Sequence, residues 1–126
     1  MAILLLILRA YSKLIRFDSY VAQDKFDDLY ETVRGYPLMR SERQSHSIQE
    51  ICEAVDVACI WYWKHVLCLQ RSAASVCLLR SCGVRAQLVI GAQPLPFRAH
   101  AWVEIEGRVV NDKSYVSEIY SVLDRC

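Results

Sequence analysis

The sequence has almost no net charge and little low-complexity character. Its 15 Lys and Arg residues nearly balance its 14 Asp and Glu residues, which leaves a formal net charge of +1. So small a charge provides no large field for holding a phosphate backbone, which argues against nucleic acid as a partner. There are only 4 Gly and 3 Pro residues, and we find no internal repeat or proline-rich linker.

The sequence also has no Cys-x-x-Cys pair, which zinc and redox sites usually require. Four of its six cysteines lie in apolar runs, where free cysteine behaves as a small buried hydrophobe. These four are Cys52, Cys59, Cys77 and Cys82, and the others are Cys68 and Cys126. Nothing identifies a secreted protein, so we expect free thiols in a reducing cytoplasm.

No apolar run is long enough to cross a bilayer. Met1 to Leu8 is far too short, and it meets Arg9 without the basic region or the cleavage site of a signal peptide. Continued to Phe17, the run predicts an amphipathic helix. A core helix is our main interpretation, and a helix that docks on a partner or a membrane surface is the alternative.

The length favours one domain. At 126 residues the chain can form one hydrophobic core but is too short for two independent domains. A helix is predicted over Gln23 to Val33, and the polar stretch Arg40 to Ser47 predicts a surface loop. We therefore expect a single domain over residues 1–126, with an N-terminal helical part (1–45) and a core that carries the chemistry (46–126).

Two helices are predicted in the second part. Ser47 followed by Glu50 matches a capping box, which opens a helix that runs through Cys59. The next helix is predicted from Cys68 to Cys82, because Gly83 stands where a left-handed C-terminal cap is usual. Usual helix lengths of about 11 to 12 residues favour a break before Cys68.

After these helices the period of the apolar residues changes to two, which predicts strands. Strands are predicted over Ala86 to Ile90, His100 to Ile105 and Arg108 to Asn111, with a loop over Gly91 to Phe97. The fold class is therefore α+β, with N-terminal helices followed by a small antiparallel sheet. Three side chains nearer the C-terminus are expected to cover this sheet: Tyr115, Tyr120 and Leu123.

The last hairpin brings a candidate acid to a candidate base. A three-residue loop that ends at Gly107 pairs Glu104 with Arg108 and places His100 opposite Asp112. A two-residue loop would shift the pairing by one and separate them. A carboxylate beside an imidazole fixes the tautomer of the ring, as the third member of a catalytic triad must.

Cys68 supplies a nucleophile that matches this pair. At a helix N-terminus the dipole and the unpaired amides favour the thiolate that attacks a carbonyl, and the Cys68 amide can help hold the oxyanion. Spacing alone is weak evidence for a triad of Cys68, His100 and Asp112. His65 is a rival base, but no acidic residue stands where it could orient the ring.

Several short motifs occur in order around these residues. They are Cys68-Leu69-Gln70-Arg71-Ser72, Gly83-Val84-Arg85-Ala86, Leu88-Val89-Ile90-Gly91 and His100-Ala101-Trp102-Val103-Glu104, followed by Gly107 and Asp112. Over residues 61–113 the chain thereby resembles the lasso-peptide leader-peptidase family, in its split form, within the transglutaminase-like superfamily of cysteine proteases. The resemblance implies a papain/transglutaminase-like core without a metal or organic cofactor.

The same resemblance implies residue roles and partners. Cys68 would attack the scissile carbonyl, His100 would carry the proton and Asp112 would orient His100. The reaction would remove the leader from a ribosomally made lasso precursor and free an amine for a separate macrolactam synthetase. The split form implies a separate leader-recognition protein, because 126 residues leave no room for a recognition domain.

Aromatic residues near the triad have two interpretations. Trp61, Trp63 and Trp102 are candidate substrate-cleft residues, although core packing is the more common role of tryptophan in so apolar a segment as Trp61 to Trp63. For Trp102 we favour packing beside the triad, which it would shield. Gln70 and the segment Trp61 to Trp63 are nearby candidates for the side-chain half of an oxyanion hole. Two other functions stay open: another acyl-transfer enzyme of the same fold, and a non-catalytic binding subunit.

Overall fold

The computed structural model describes residues 2–39 and 46–126. Most of the surface loop predicted over Arg40 to Ser47 therefore lies outside the described residues. Within them the chain forms helices α1 (Ala2–Ala22), α2 (Phe26–Arg34), α3 (Ile48–Trp61), α4 (Cys68–Ser81) and α5 (Val116–Ile119), and strands β1 (Ala86–Pro94), β2 (Phe97–Ile105), β3 (Arg108–Val109) and β4 (Ser121–Arg125). Helices precede an antiparallel sheet, so the predicted α+β class is confirmed.

Helix α1 is a core helix, as its periodicity predicted. Its buried side chains recur every three or four residues: Leu6, Ala10, Leu14 and Phe17. They pack against α3 and α4, which is the arrangement expected of an amphipathic helix. The opposite face exposes Leu5, Leu8 and Ile15. In the described ranges no helix combines the length and the apolar character needed to span a membrane.

Helix α2 begins later than predicted. The helix predicted from Gln23 starts at Phe26, because the chain turns between α1 and α2 at Asp24, where φ is +55°. Leu29 and Val33 of α2 are buried, and the helix contacts α1 and α4. The helices predicted for the N-terminal part are therefore present. They pack against α4 of the second part and share its hydrophobic core.

Helices α3 and α4 begin and end close to the predicted residues. The Ser47 hydroxyl accepts a hydrogen bond from the Glu50 amide at 3.1 Å, and the Glu50 carboxylate accepts one from the Ser47 amide. Helix α3 ends at Trp61, and Gly83 after α4 adopts a φ of 85°. The break before Cys68 is confirmed, and Cys68 is the first residue of α4.

The four strands form one sheet in the order β3-β2-β1-β4. Strands β1 and β2 pair along their whole length, up to Pro94 opposite Phe97. The loop predicted over Gly91 to Phe97 is therefore wrong, and only Leu95 and Pro96 connect the strands. Its two prolines misled the prediction: Pro94 takes the last paired position and Pro96 lies in the turn, so neither interrupts the ladder.

Strand β4 was not predicted. It pairs antiparallel with the free edge of β1, with Gly91 opposite Val122. Four of its five residues are exposed and only Val122 is partly buried, so the alternation of apolar residues that marks a strand is weak. Of the side chains expected to cover the sheet, Tyr120 contacts Trp102 with the ring centroids 6.2 Å apart, whereas Leu123 is exposed.

One arginine joins distant segments at the C-terminal end of α4. The Arg80 guanidinium donates hydrogen bonds to the carbonyls of Val33, Ala86 and Cys126. Val33 lies in α2, Ala86 opens β1 and Cys126 follows β4. Because a guanidinium offers five donors in a fixed plane, one side chain can satisfy carbonyls from all three segments. Arg80 thus fastens α2 and both neighbouring strands to α4.

Candidate active site

Cys68 lies between two depressions in the surface. The smaller, of about 90 Å³, is called the His100 pocket because His100 and Cys68 both line it. The larger, of about 490 Å³, is called the Arg71 groove, and Cys68 lies on its wall too. Its other lining residues are Asp56, Cys59, Ile60, His65, Val66 and Arg71. Cys68 therefore lines both a pocket that it shares with His100 and an open groove.

His100 is paired with Asp112, as predicted. Nε2 of His100 lies 2.5 Å from Oδ2 of Asp112, and Oδ1 of Asp112 accepts a hydrogen bond from the Lys113 amide at 2.7 Å. Burial acts to raise the pKa of Asp112, but the hydrogen bonds from His100 and Lys113 and the electrostatic effects of His100 and Arg71 outweigh it. The net pKa lies below the ordinary value of 3.8, so the carboxylate is ionised at neutral pH.

This charge state assigns the two ring nitrogens of His100. An ionised carboxylate can only accept hydrogen bonds, so Nε2 must carry the proton that it donates to Asp112. In a neutral ring with its proton on Nε2, Nδ1 has the free lone pair. Nδ1 is therefore the ring nitrogen that Asp112 does not bind, and His100 lines its pocket together with Cys68.

The hairpin before Asp112 has a different register from the predicted one. Ile105 pairs with Arg108, so the loop consists of Glu106 and Gly107 alone. Their φ values of 52° and 78° fit the two-residue type I′ turn, which matches the twist of the strands. The predicted three-residue loop is wrong.

Asp112 nevertheless reaches His100, because the chain leaves the ladder before it. Strand β3 is two residues long, and the last ladder bond runs from the Val110 amide to the Val103 carbonyl at 3.0 Å. A regular ladder would return a bond from the Val103 amide to the Val110 carbonyl. The Val103 amide instead donates to Oδ1 of Asn111 at 2.8 Å.

Two aromatic rings support the His100 imidazole. The ring centroid of Tyr120 lies 5.2 Å from that of His100, and the Trp102 centroid lies 6.1 Å from it, both at small interplanar angles. Trp102 is 0% exposed, and its indole N–H donates to the buried Glu104 carboxylate at 2.8 Å. Its assignment as a cleft residue is wrong, because a fully buried ring cannot line a cleft, whereas the expected packing of Trp102 beside His100 is present. Trp102 packs beneath the site and steadies His100.

Trp61 and Trp63 are exposed, with 76% and 70% of their surface accessible. The favoured prediction, that both pack in the core, is therefore wrong. Tyr62, which lies between them in the sequence, is buried. The reason is local, because α3 ends at Trp61 and the chain then runs along the surface to α4. Neither tryptophan is among the residues that line the His100 pocket or the Arg71 groove, and their role as cleft residues stays a prediction.

The other cysteines behave as structural thiols. Burial raises the pKa of Cys52, Cys59 and Cys77 to about 11, so they remain protonated at neutral pH. All six cysteines are free. Among the described residues no group of three or more His, Cys, Asp and Glu side chains is placed to hold a metal ion.

Two other candidates are located differently from the expectation. His65 lines the Arg71 groove, but it precedes α4 and so is not one helical turn before Cys68 on a continuous helix. Gln70 is buried, and its amide donates to the Leu14 carbonyl at 2.8 Å. Gln70 therefore links α4 to α1, which makes it a poor candidate for an oxyanion donor.

Gly91→Ala is expected to disturb the rings that support His100. A Cβ on Gly91 would lie 2.6 Å from Cη2 of Trp102 and 2.8 Å from Cβ of Tyr120, so both rings must move. We expect the free energy of unfolding to fall by about 2 kcal/mol and the near-UV circular dichroism to change. Urea denaturation and near-UV spectra measure the two effects.

Gly107→Ala is the matched control for this substitution. Its φ of 78° makes alanine unfavourable, but nothing lies within 4 Å of an added Cβ. It should cost about 1 kcal/mol through the backbone alone, with an unchanged near-UV spectrum. A wild-type near-UV spectrum for Gly91→Ala would contradict the packing described here.

Comparisons with known proteins identify the fold family. A family model described as the transglutaminase-like superfamily matches residues 14–124. A segment of 56 residues is 41% identical to the microcin J25-processing protein McjB of Escherichia coli, and it covers 44% of this chain and 27% of that protein. The chain thus spans about a quarter of the length of this curated relative. No solved structure matches the chain. Because the family model covers far more than half of the sequence, this chain belongs to the transglutaminase-like superfamily.

Proposed function

We propose that this chain is a cysteine peptidase that removes the leader from a ribosomally made lasso-peptide precursor. The observation that carries the proposal is the bond of 2.5 Å between His100 and Asp112, beside a pocket that His100 shares with Cys68. Membership of the transglutaminase-like superfamily supports acyl-transfer chemistry. Identity to a protein named for processing microcin J25 supports the class of substrate.

The reaction begins at the Cys68 thiol. Nδ1 of His100 takes the thiol proton, and the thiolate attacks the scissile carbonyl carbon. The oxyanion is held by the amide of Cys68, because the first amides of a helix have no partner within the helix. Collapse of this intermediate expels the amine, which receives its proton from Nδ1 and leaves the leader acyl group on Cys68.

Water completes the cycle. Nδ1 of His100 takes a proton from a water molecule, the resulting hydroxide attacks the thioester, and the leader leaves as a carboxylic acid while Cys68 recovers its proton. Asp112 remains ionised throughout. Its carboxylate holds the proton on Nε2 and stabilises the imidazolium that forms in each half of the reaction.

The Arg71 groove offers room for the peptide on one side of the thiol. Asp56 and Arg71 line its wall, with Oδ1 of Asp56 and Nη1 of Arg71 4.0 Å apart. Because Nη2 of Arg71 is bonded to the Asn111 carbonyl, we propose that Nη1 of Arg71 and the Asp56 carboxylate bind the polar main chain of an extended peptide. The exposed rings of Trp61 and Trp63 follow Ile60 of the groove wall, and we propose them as contacts further along the peptide.

The proposal includes the setting of the enzyme. Residues 1–126 would act as a single domain, in which residues 1–45 support a catalytic core over residues 46–126. A separate leader-recognition protein would deliver the precursor, and a macrolactam synthetase would use the amine that is released. The reaction would take place in the cytoplasm, and it requires no cofactor, because thiolate, imidazole and carboxylate together supply the nucleophile and all proton transfers.

Mass spectrometry of lasso precursors incubated with this chain and a leader-binding protein tests the proposal. The microcin J25 precursor is the first substrate to try. Hydrolysis yields a leader and a core whose masses sum to that of the precursor plus one water. If the product is an amine adduct, the chain is an acyl-transfer enzyme of the transglutaminase type. If each of a panel of precursors stays intact, the peptidase proposal fails and a binding subunit becomes the better description.

A further inference from the structure

We propose that Asn111 is a positioning residue that sets the alignment of Asp112 with His100 and ties both to the helix that carries Cys68. The inference rests on the proposed function, in which those three residues form the triad. Within the described part of the chain Asn111 forms no hydrogen bond with Cys68 or with the His100 imidazole, so its effect must pass through Asp112.

Three hydrogen bonds hold Asn111 to two different elements. Its Oδ1 accepts from the Val103 amide of β2 at 2.8 Å, and its Nδ2 donates to Oγ of Ser72 in α4 at 3.1 Å. Its main-chain carbonyl accepts from Nη2 of Arg71 at 3.2 Å. The residue before Asp112 is therefore bonded both to the strand that carries His100 and to the helix that begins at Cys68.

Ser72 connects this network to the two elements that carry Cys68 and His100. It lies one helical turn after Cys68 on the same side of α4, and it is fully buried. Its hydroxyl donates to the carbonyl of Ala101, which follows His100, at 3.2 Å. Since a hydroxyl has one proton and Ser72 gives it to Ala101, Ser72 can only accept from Asn111.

The polarity of the network requires an amide side chain. The Val103 amide needs an acceptor, and Oγ of Ser72 needs a donor. Asparagine offers both on one short side chain. An aspartate would keep the acceptor but would present an oxygen to Ser72, whose proton is already used.

The strand register shows what Asn111 prevents. Ile105 pairs with Arg108. If this pairing continued residue by residue past the end of β3, Lys113 would lie opposite His100. The bond that Oδ1 of Asn111 accepts from the Val103 amide replaces the next ladder bond. The strand ends there and the chain turns. The carboxylate of Asp112 thereby takes the position that Lys113 would otherwise occupy.

Asn111→Ala and Asn111→Asp are expected to lower kcat on a lasso precursor by about 100-fold, the loss typical of a misplaced catalytic group. KM should change little, because Asn111 lines neither depression beside Cys68. In ¹⁵N NMR of His100, wild type should show the proton on Nε2, and both variants should show a mixture of tautomers.

Ser81→Ala is the matched control. Ser81 is another serine of α4 that binds a distant element, since its hydroxyl accepts from Arg9 at 2.7 Å, but it lies at the far end of the helix. We expect it to keep the wild-type kcat and the wild-type His100 tautomer. Ser72→Ala should lower kcat as Asn111→Ala does, and the double variant should lose less than the product of the two single losses.

Two results would overturn the positioning role. One is a folded Asn111→Asp protein with the wild-type tautomer and kcat, and the other is a double variant whose losses multiply. The NMR readout needs no peptide substrate. If wild type cleaves no precursor, the proposed function fails, while a tautomer change in the Asn111 variants still supports the positioning of Asp112 and an unchanged tautomer still refutes it.

Discussion

Replacing Cys68 by alanine is expected to abolish leader removal while leaving the fold intact. Without the thiol no acyl-enzyme forms, and loss of the nucleophile in a triad hydrolase typically lowers kcat on the order of 10⁶-fold. Cys68 is partly exposed at the first residue of α4, so alanine leaves no buried cavity. Mass spectrometry of the precursor over time, with thermal unfolding to verify folding, measures the effect.

Cys82→Ala is the control for this substitution. Cys82 caps the other end of α4 and is also a partly buried free thiol, so its loss should leave cleavage at the wild-type rate. Cys68→Ser should behave like Cys68→Ala, because a hydroxyl beside an imidazole suited to a thiol is a far weaker nucleophile. If Cys68→Ala cleaves the precursor at a rate near wild type, another residue is the nucleophile. If the chain is instead a non-catalytic binding subunit, this variant should still support the function of its partner.

Asp112→Ala is expected to have the second largest effect, a decrease in kcat of about 10³ to 10⁴-fold. Loss of the carboxylate frees Nε2 of His100, so the ring can place its proton on Nδ1 and cannot then accept one from Cys68. KM should stay near the wild-type value, because Asp112 lines neither the His100 pocket nor the Arg71 groove. Single-turnover cleavage measured by mass spectrometry separates the two constants, and an unchanged kcat would contradict the assigned tautomer.

The lowered pKa of Asp112 also predicts how its contribution to stability depends on pH. A carboxyl group whose pKa is lower in the folded state stabilises the fold above its ordinary pKa of 3.8, and this stabilisation is lost as the pH falls through the lowered value. The difference in free energy of unfolding between wild type and Asp112→Asn should therefore be present at pH 7 and vanish in strong acid. Urea denaturation across this range measures it. Asp124→Asn, which removes an exposed ion pair with Arg34, should cause little change at either pH.

The helices could be predicted because their signals are local. The capping box of Ser47 and Glu50 and the left-handed Gly83 each act within a few residues, and both were found where predicted. No such signal marks the start of α4 at Cys68, which was predicted only from the usual length of helices. The α+β order follows from the change of period after that helix, which also depends only on neighbouring residues.

The path that joins His100 to Asp112 could not be predicted from local signals. Both were expected to be neighbours through a three-residue loop, and they are neighbours through a two-residue turn followed by the Asn111 bond to Val103. That bond joins the side chain of Asn111, which follows β3, to the main chain of β2. The spacing of apolar residues along the sequence gives no sign of it. The edge strand β4 and the exposure of Trp61 escaped prediction for a related reason, since each depends on what the rest of the fold covers.

The position of Arg80 has a consequence for how the molecule opens. Its guanidinium binds carbonyls in α2, at the start of β1 and after β4. If one of these segments unfolds locally, the Arg80 side chain is less well fixed, and its hydrogen bonds to the other two segments weaken. Segments far apart in sequence are thereby coupled into one cooperative unit of local unfolding. In native-state hydrogen exchange, the amides of β4 should then be protected to the same degree as those of α2, although β4 lies at the exposed edge of the sheet.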